Sequence, residues 1–402
     1  MAFTLRFTKP KLRITCQGAD KDCHANWLEL FFDLAVALLV SQVAGSLSID
    51  HSWRGFFIYV ALFLPVVWIW MGHTVYSTRF GADDLLYKLV VFVTMFLGLG
   101  MGIQVKAARV GATEGYALCY LASRALLHFL VCRASYHIVA ARPLLKIYLL
   151  NFAVGAGVCA AGFFCDGALR YALWTGGLAI EMIAPWIVWF RMCQVQLSTS
   201  HLPERMGLFV LIVLGESLIR ITNGLAAKSW GWNVLTESIL AFGVLVGVWW
   251  IYFAHLDRVI GKTNLRSSQP FLLGHVVMLC SIVVAGVGVE HAIKQADRPA
   301  LEPSVTALLF GAAVLWIVGL QIFLHAVNPI SERHQRNRFV VYALALGTCW
   351  TASAQLPPPA VLSLLFLCQL VVMLRESRIR AHTRHAATVE QHILEPVKAS
   401  DR

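Results

Sequence analysis

Charge is what this sequence has least of. Only 14% of its 402 residues are Asp, Glu, Lys or Arg, against roughly 25% in a soluble protein. That shortfall leaves no room for a large soluble domain. Chemistry-bearing motifs are missing too: no phosphate-cradling glycine loop, no HExxH pair and no nucleophile elbow occurs, so no reaction class is assigned by motif. A cleavable signal is not visible, since residues 1–26 are polar and basic and the first apolar run has the length of a span. Of the ten cysteines, most are scattered through apolar runs (Cys119, Cys132, Cys159, Cys280, Cys368) as small apolar fillers. Cys16, Cys23 and His24 are too few and too loosely spaced for a metal centre. Neither a metal nor a cofactor is expected, and no catalytic residue is assigned.

What the chain has in abundance is hydrophobic length. Hydrophobic residues make up 58% of it, in repeated runs that reach the ~20 residues one bilayer crossing needs. The expected fold is all-α: a polytopic transmembrane helix bundle of about twelve spans, at 27–48, 55–76, 87–107, 115–138, 143–164, 169–191, 205–225, 235–256, 271–293, 304–327, 338–354 and 359–375. The eleventh and twelfth meet at the Pro357-Pro358-Pro359 turn. The partner this predicts is the lipid bilayer, in the cell inner (plasma) membrane.

Net charge is +11, but its distribution argues against nucleic acid. The N-terminus, the even-numbered loops and the C-terminal tail hold 23 of the 33 Lys and Arg residues. By the positive-inside rule both termini are then cytoplasmic, in keeping with an even number of spans. The tail, with Arg375, Arg378, Arg380 and Arg384, is expected against anionic headgroups.

An internal repeat is also expected. VVWIWMGHTVY (66–76) resembles VGVWWIYFAHL (246–256), and GLGMGIQVKAA (98–108) resembles AGVGVEHAIKQA (285–296). Six spans separate each pair, so the halves would share one orientation as a parallel 6+6 duplication. The division is 1–26, a basic segment; 27–200 and 201–375, the six-helix repeats; and 376–402, a basic tail.

Polar residues inside spans carry the functional reading, because a charge in hydrocarbon is costly unless paired or facing water. WLELFFDLAVALLV (27–40) opens the first span with Glu29 and Asp33 one helical turn apart on one face. With His73, His255, His275 and Glu204-Arg205 they are expected to form a polar vestibule at the cytoplasmic mouth. Arg79, Asp83 and Asp84 cluster in the loop after the second span. Near mid-depth lie Arg124, Glu181 and Glu216, and toward the outside Arg220, Glu290 and His291. Arg124 is expected to pair with Glu181 or Glu216, leaving one acid free to take a proton. The alternative pairs Glu216 with Arg220 and makes Arg124–Glu181 a packing clamp. The substrate- or ion-binding set is therefore Glu29, Asp33, Arg124, Glu181, Glu204, Arg205, Glu216, Glu290 and His291. Two functions fit: a proton- or ion-coupled secondary transporter of unknown substrate, or an integral-membrane enzyme using buried Glu/His acid–base chemistry on a lipid or hydrophobic small molecule. A homo-oligomer is compatible with either.

Five blocks carry a family resemblance: WLELFFDL (27–34), YSTRFGADD (76–84), HLPERMGLFVLIVLGES (201–217), WWIYF (249–253) and GVGVEHA (286–292). In that order they resemble the bacterial low temperature requirement A (LtrA) proteins, over about residues 27–295. The resemblance implies a multi-pass membrane protein, named for growth in the cold, and it implies a location more than a reaction. It places Glu29, Asp33, Arg79, Asp83, Asp84, His201, Glu204, Arg205, Glu216 and Glu290 at signature positions. The sequence departs from the pattern at Gly81, where an acid is usual, and at Phe271–His275.

Overall fold

The computed structural model describes residues 9–12, 26–81, 84–187, 201–226, 228–229, 231–257, 268–327, 342, 345–375 and 377. They fold as an all-helical bundle: α1 (Trp27–Ile49), α2 (Trp53–Arg79), α3 (Leu85–Arg109), α4 (Glu114–His137), α5 (Arg142–Ala161), α6 (Gly167–Ile187), α7 (His201–Leu225), α8 (Trp232–Leu256), α9 (Ser268–Lys294), α10 (Pro303–Val327) and α11 (Pro358–Arg375). A further helical stretch covers 345–353. Among the described residues, ten helices are long and apolar enough to cross a membrane, so the chain is a multi-pass membrane protein in contact with lipid. α6, which carries Arg170 and Glu181, falls outside those ten. The extended structure described is one antiparallel pair, Lys11–Leu12 against Phe80–Gly81, which ties the N-terminal segment to the turn after α2.

Helix ends follow local rules. Ser52 accepts a hydrogen bond from the Gly55 amide at the start of α2, and Asp84 accepts one from the Tyr87 amide at the start of α3. Ser52 also donates to Asp50 in the α1–α2 turn at 2.6 Å, and that bond holds the Asp50 carboxyl below its ordinary range. α9 is the central helix: 78% of its apolar window is buried, against at most 56% in any other. It packs most extensively on α10 and α7. The outer surface keeps large apolar side chains such as Phe96, Ile103 and Leu150 exposed, as a lipid-facing surface requires.

Candidate functional site

Polar side chains in this interior gather at three depths. The first group forms where α1 and α7 begin, here the near end of the bundle. Glu29 lies in the first turn of α1, where free backbone amides favour an acid, and its Oε2 accepts from the Asn26 amide at 3.0 Å. Asp33 follows one turn later on the same face. On α7 the same spacing places His201 and Arg205 on one face. The two pairs meet. Glu29 Oε1 lies 3.3 Å from Arg205 Nη1, Glu29 Oε2 lies 3.2 Å from His201 Nε2, and Asp33 Oδ1 lies 3.2 Å from Arg205 Nη2. α2 completes the cluster: Trp70 Nε1 donates to Asp33 Oδ1 at 2.7 Å, and Arg205 Nη1 donates to Ser77 Oγ at 2.5 Å. Phe209 stacks on Trp70 at 3.9 Å between centroids. Glu29, Asp33, His201 and Arg205 are all buried.

Among the described residues, two carboxylates thus stand against a single guanidinium, with an imidazole beside them. Asp33 Oδ2 and Arg205 Nε are buried with no hydrogen-bond partner among the described residues.

The second group is at mid-depth, ten residues or roughly 15 Å into α4. Arg124 Nε lies 2.7 Å from Glu181 Oε2, which also accepts from Trp68 Nε1 and Tyr120 Oη, both at 3.1 Å. The third group lies at the far end. Arg220 Nε donates to Glu216 at 2.7 Å, Arg220 Nη2 donates to the Ser41 carbonyl at 2.8 Å, and Nη1 reaches Glu290 at 3.5 Å. Glu290 also accepts from Lys294, and His291 Nε2 lies 3.1 Å from Ser48 Oγ. From Glu29 to Ser48, α1 climbs roughly 29 Å, about one hydrocarbon thickness. α1, parallel to α7, is thus held to it at Glu29 and Asp33 and again through the Ser41 carbonyl, and to α9 at Ser48.

These positions revise several expectations. Arg124, Glu181 and Glu216 do not form one midplane site: Arg124 takes Glu181 and Glu216 takes Arg220, one turn away, which is the pairing of the alternative reading. The free acid expected there is absent among the described residues, because each carboxylate has a local cation. The expected vestibule is instead a buried cluster, and among the described residues none of its three expected histidines bonds Glu29, Asp33 or Arg205. His275 Nδ1 donates to the Phe271 carbonyl (2.7 Å) and its Nε2 lies 3.0 Å from the Tyr252 hydroxyl, inside an aromatic cage. His255 bonds the Ile251 carbonyl at 2.7 Å, and His73 packs against Phe32. Glu204 sits half-buried beside Arg205 on α7. Asp84 pairs with Arg133 of α4 rather than with Arg79, while Asp83 lies outside the described residues, as do Cys16, Cys23 and His24. Trp70, Ser77 and Arg133 were missed; the HxxxR spacing at 201–205, which mirrors ExxxD at 29–33, was the signal for the near-end pairing.

A family model described as "Bacterial low temperature requirement A protein (LtrA)" matches residues 24–392. That match runs well past residue 295, where the recognisable blocks end. An uncharacterized protein of Rhizobium meliloti (strain 1021) is 25% identical over 346 residues, covering 75% of this chain and 82% of that protein. No solved structure matches this chain.

Proposed function

The chain belongs to the bacterial low temperature requirement A family, and from that premise we propose that it is a secondary carrier coupled to protons or another ion. The observation that carries this reading is a charge cluster at each end of α7, the near one joining it to α1 and the far one joining it to α9 and to the Ser41 carbonyl of α1. The near-end clamp is Glu29 and Asp33 against His201 and Arg205; the far-end clamp is Glu216 and Glu290 against Arg220. A carrier needs two barriers, one on each side of a central site, that open in alternation. Ion pairs suit this role because each is stable when closed, and a shift in protonation removes the attraction. The near-end cluster has the right composition for coupling, since its two acids, one arginine and one imidazole hold a proton in one clamp state and release it in the other. The parallel course of α1 and α7 supports the six-span duplication that such a fold uses. On the charge distribution, the near end faces the cytoplasm.

The test uses proteoliposomes under an imposed pH gradient, bathed in a bacterial metabolite extract, with vesicle contents read by mass spectrometry. At least one solute is expected to accumulate only with protein and gradient both present. Glu29→Gln and Asp33→Asn should cut that accumulation at least about tenfold. Accumulation that persists unchanged in both variants, or that protein-free vesicles reproduce, overturns the carrier.

A further inference from the structure

Next to the mid-depth pair lies a cavity of about 110 Å³, walled by α2, α4, α5, α6 and the first turns of α9. Its lining is aromatic and aliphatic apart from Arg79, Arg124 and Gln269. No described residue lining it is acidic. Arg124 is 1% exposed, and its contact with Glu181 uses Nε; its Nη1 and Nη2 are buried without a hydrogen-bond partner among the described residues. Arg79 is 3% exposed, its Nε is likewise unpartnered, and among the described residues no carboxylate lies within ion-pair reach of it. The Tyr76 hydroxyl, also in the lining, is a third buried polar group with no hydrogen-bond partner among the described residues.

The walls hold the two guanidiniums as if for use. The Arg124 Cζ sits 4.6 Å from the Phe152 ring centroid, and the Arg79 Cζ sits 5.9 Å from that of Tyr148. Gly72 makes the space: a Cβ there would come within 2.9 Å of Arg124 Nη1. Arg79 is seven residues further along α2, on the same face as Gly72. Among the described residues the lining offers unpartnered guanidinium nitrogens and no acid, and while Arg124 has Glu181, Arg79 has no such partner among them; a buried cation is costly until an anion answers it. Guanidinium forks match carboxylates, binding them through two parallel hydrogen bonds. The volume is several times the ~10–15 Å³ one water needs, which leaves room for a carboxylate plus a ring-sized apolar body against the aromatic walls.

The geometry points to a binding site for a small organic carboxylate with an apolar or aromatic body, held by Arg79 and Arg124. That the bound acid is also the cargo rests on the carrier reading above; the binding itself does not. Delipidated protein in an uncharged detergent is titrated calorimetrically with benzoate, benzamide, inorganic phosphate and dodecanoate. Benzoate is expected to bind saturably, and benzamide and phosphate at least about tenfold more weakly. Arg79→Gln should weaken benzoate at least about tenfold, and Arg79→Lys less. The double variant Arg124→Gln/Glu181→Gln, which leaves no unpaired acid behind, should weaken it similarly. Benzamide binding as well as benzoate, or Arg79→Gln binding like the parent, overturns the site. Phosphate matching benzoate would mean an inorganic-anion site and overturn the organic class. Dodecanoate binding while benzoate does not would place the carboxylate on a lipid and overturn the small acid. Because no gradient is involved, absent binding with uptake intact discards this site alone, and binding without uptake discards the carrier alone.

Discussion

Arg205 answers two buried carboxylates at once, so its removal strands both. Breaking a buried pair by deleting one partner costs ~3–5 kcal/mol, because the remaining charge has no compensation. Arg205→Leu is expected to lower the melting temperature in detergent by more than any other single change in the near-end cluster. Trp70→Phe keeps the stack on Phe209 at 3.9 Å and removes one donor to Asp33. It should cost about 1.5–3 kcal/mol, in the range of a hydrogen bond to a charged group. An Arg205→Leu protein that melts with the parent would show that the cluster contributes nothing to folding. The spacing of Glu29 and Asp33 told which face they share, since one helical turn fixes that locally. It could not tell that their partner is Arg205, on a helix 172 residues away, because periodicity carries no information about which faces meet. Arg124 shows the same limit. Charge alone allowed Glu181 or Glu216, and the choice turned on distance. Only the Arg220–Glu216 bond, one turn long, was within reach of the sequence.

At the scale of elements, the central contact is α9 on α10, and two glycines set its distance. A Cβ on Gly274 would lie 2.8 Å from the Phe323 amide nitrogen and 2.9 Å from the Gly319 carbonyl oxygen; one on Gly319 would lie 3.0 Å from the Gly274 carbonyl oxygen. Backbone meets backbone here, so no side-chain rotation relieves the clash. Helices in lipid associate by such close packing of small residues, with little hydrophobic force between them. Gly274→Ala is expected to destabilise by about 1–3 kcal/mol, the usual range for overpacking, read as a lower melting temperature in detergent. Gly311→Ala on α10 has nothing within 4 Å of the added Cβ and should be neutral or stabilising by up to ~1 kcal/mol, since glycine weakens a helix interior. If both variants behave alike, proximity at Gly274 is not what matters. Apolar run length made the helices legible, because hydrocarbon thickness sets the number of residues directly. α11 opens at Pro358 within the expected triple-proline turn, where a missing amide costs nothing. The glycine pairing between α9 and α10 was illegible, since glycine recurs in many runs and only a crossing gives one of them a role.

For the whole molecule, the open quantity is the number of crossings, because its parity fixes which side each end occupies. Ten described helices have the length and apolarity to cross. α6 adds another on physical grounds: its 21 residues span roughly 31 Å, and its Glu181 meets Arg124 inside the bundle. A twelfth would have to include the stretch at 345–353, whose nine described residues rise only ~14 Å. An even number returns the chain to its starting side, which agrees with 23 of 33 Lys and Arg falling in the termini and even-numbered loops. The near-end clamp would then face the positively biased side. Fusing green fluorescent protein after Arg402 is expected to give fluorescent bacteria, and alkaline phosphatase fused there should be inactive. The same reporters placed in the turn between α7 and α8 should give the opposite pair. Active phosphatase at the C-terminus would mean an odd number of crossings. In that case α6 or the 345–353 stretch lies within one leaflet, and the two clamps would no longer sit on the sides that alternating access assigns them.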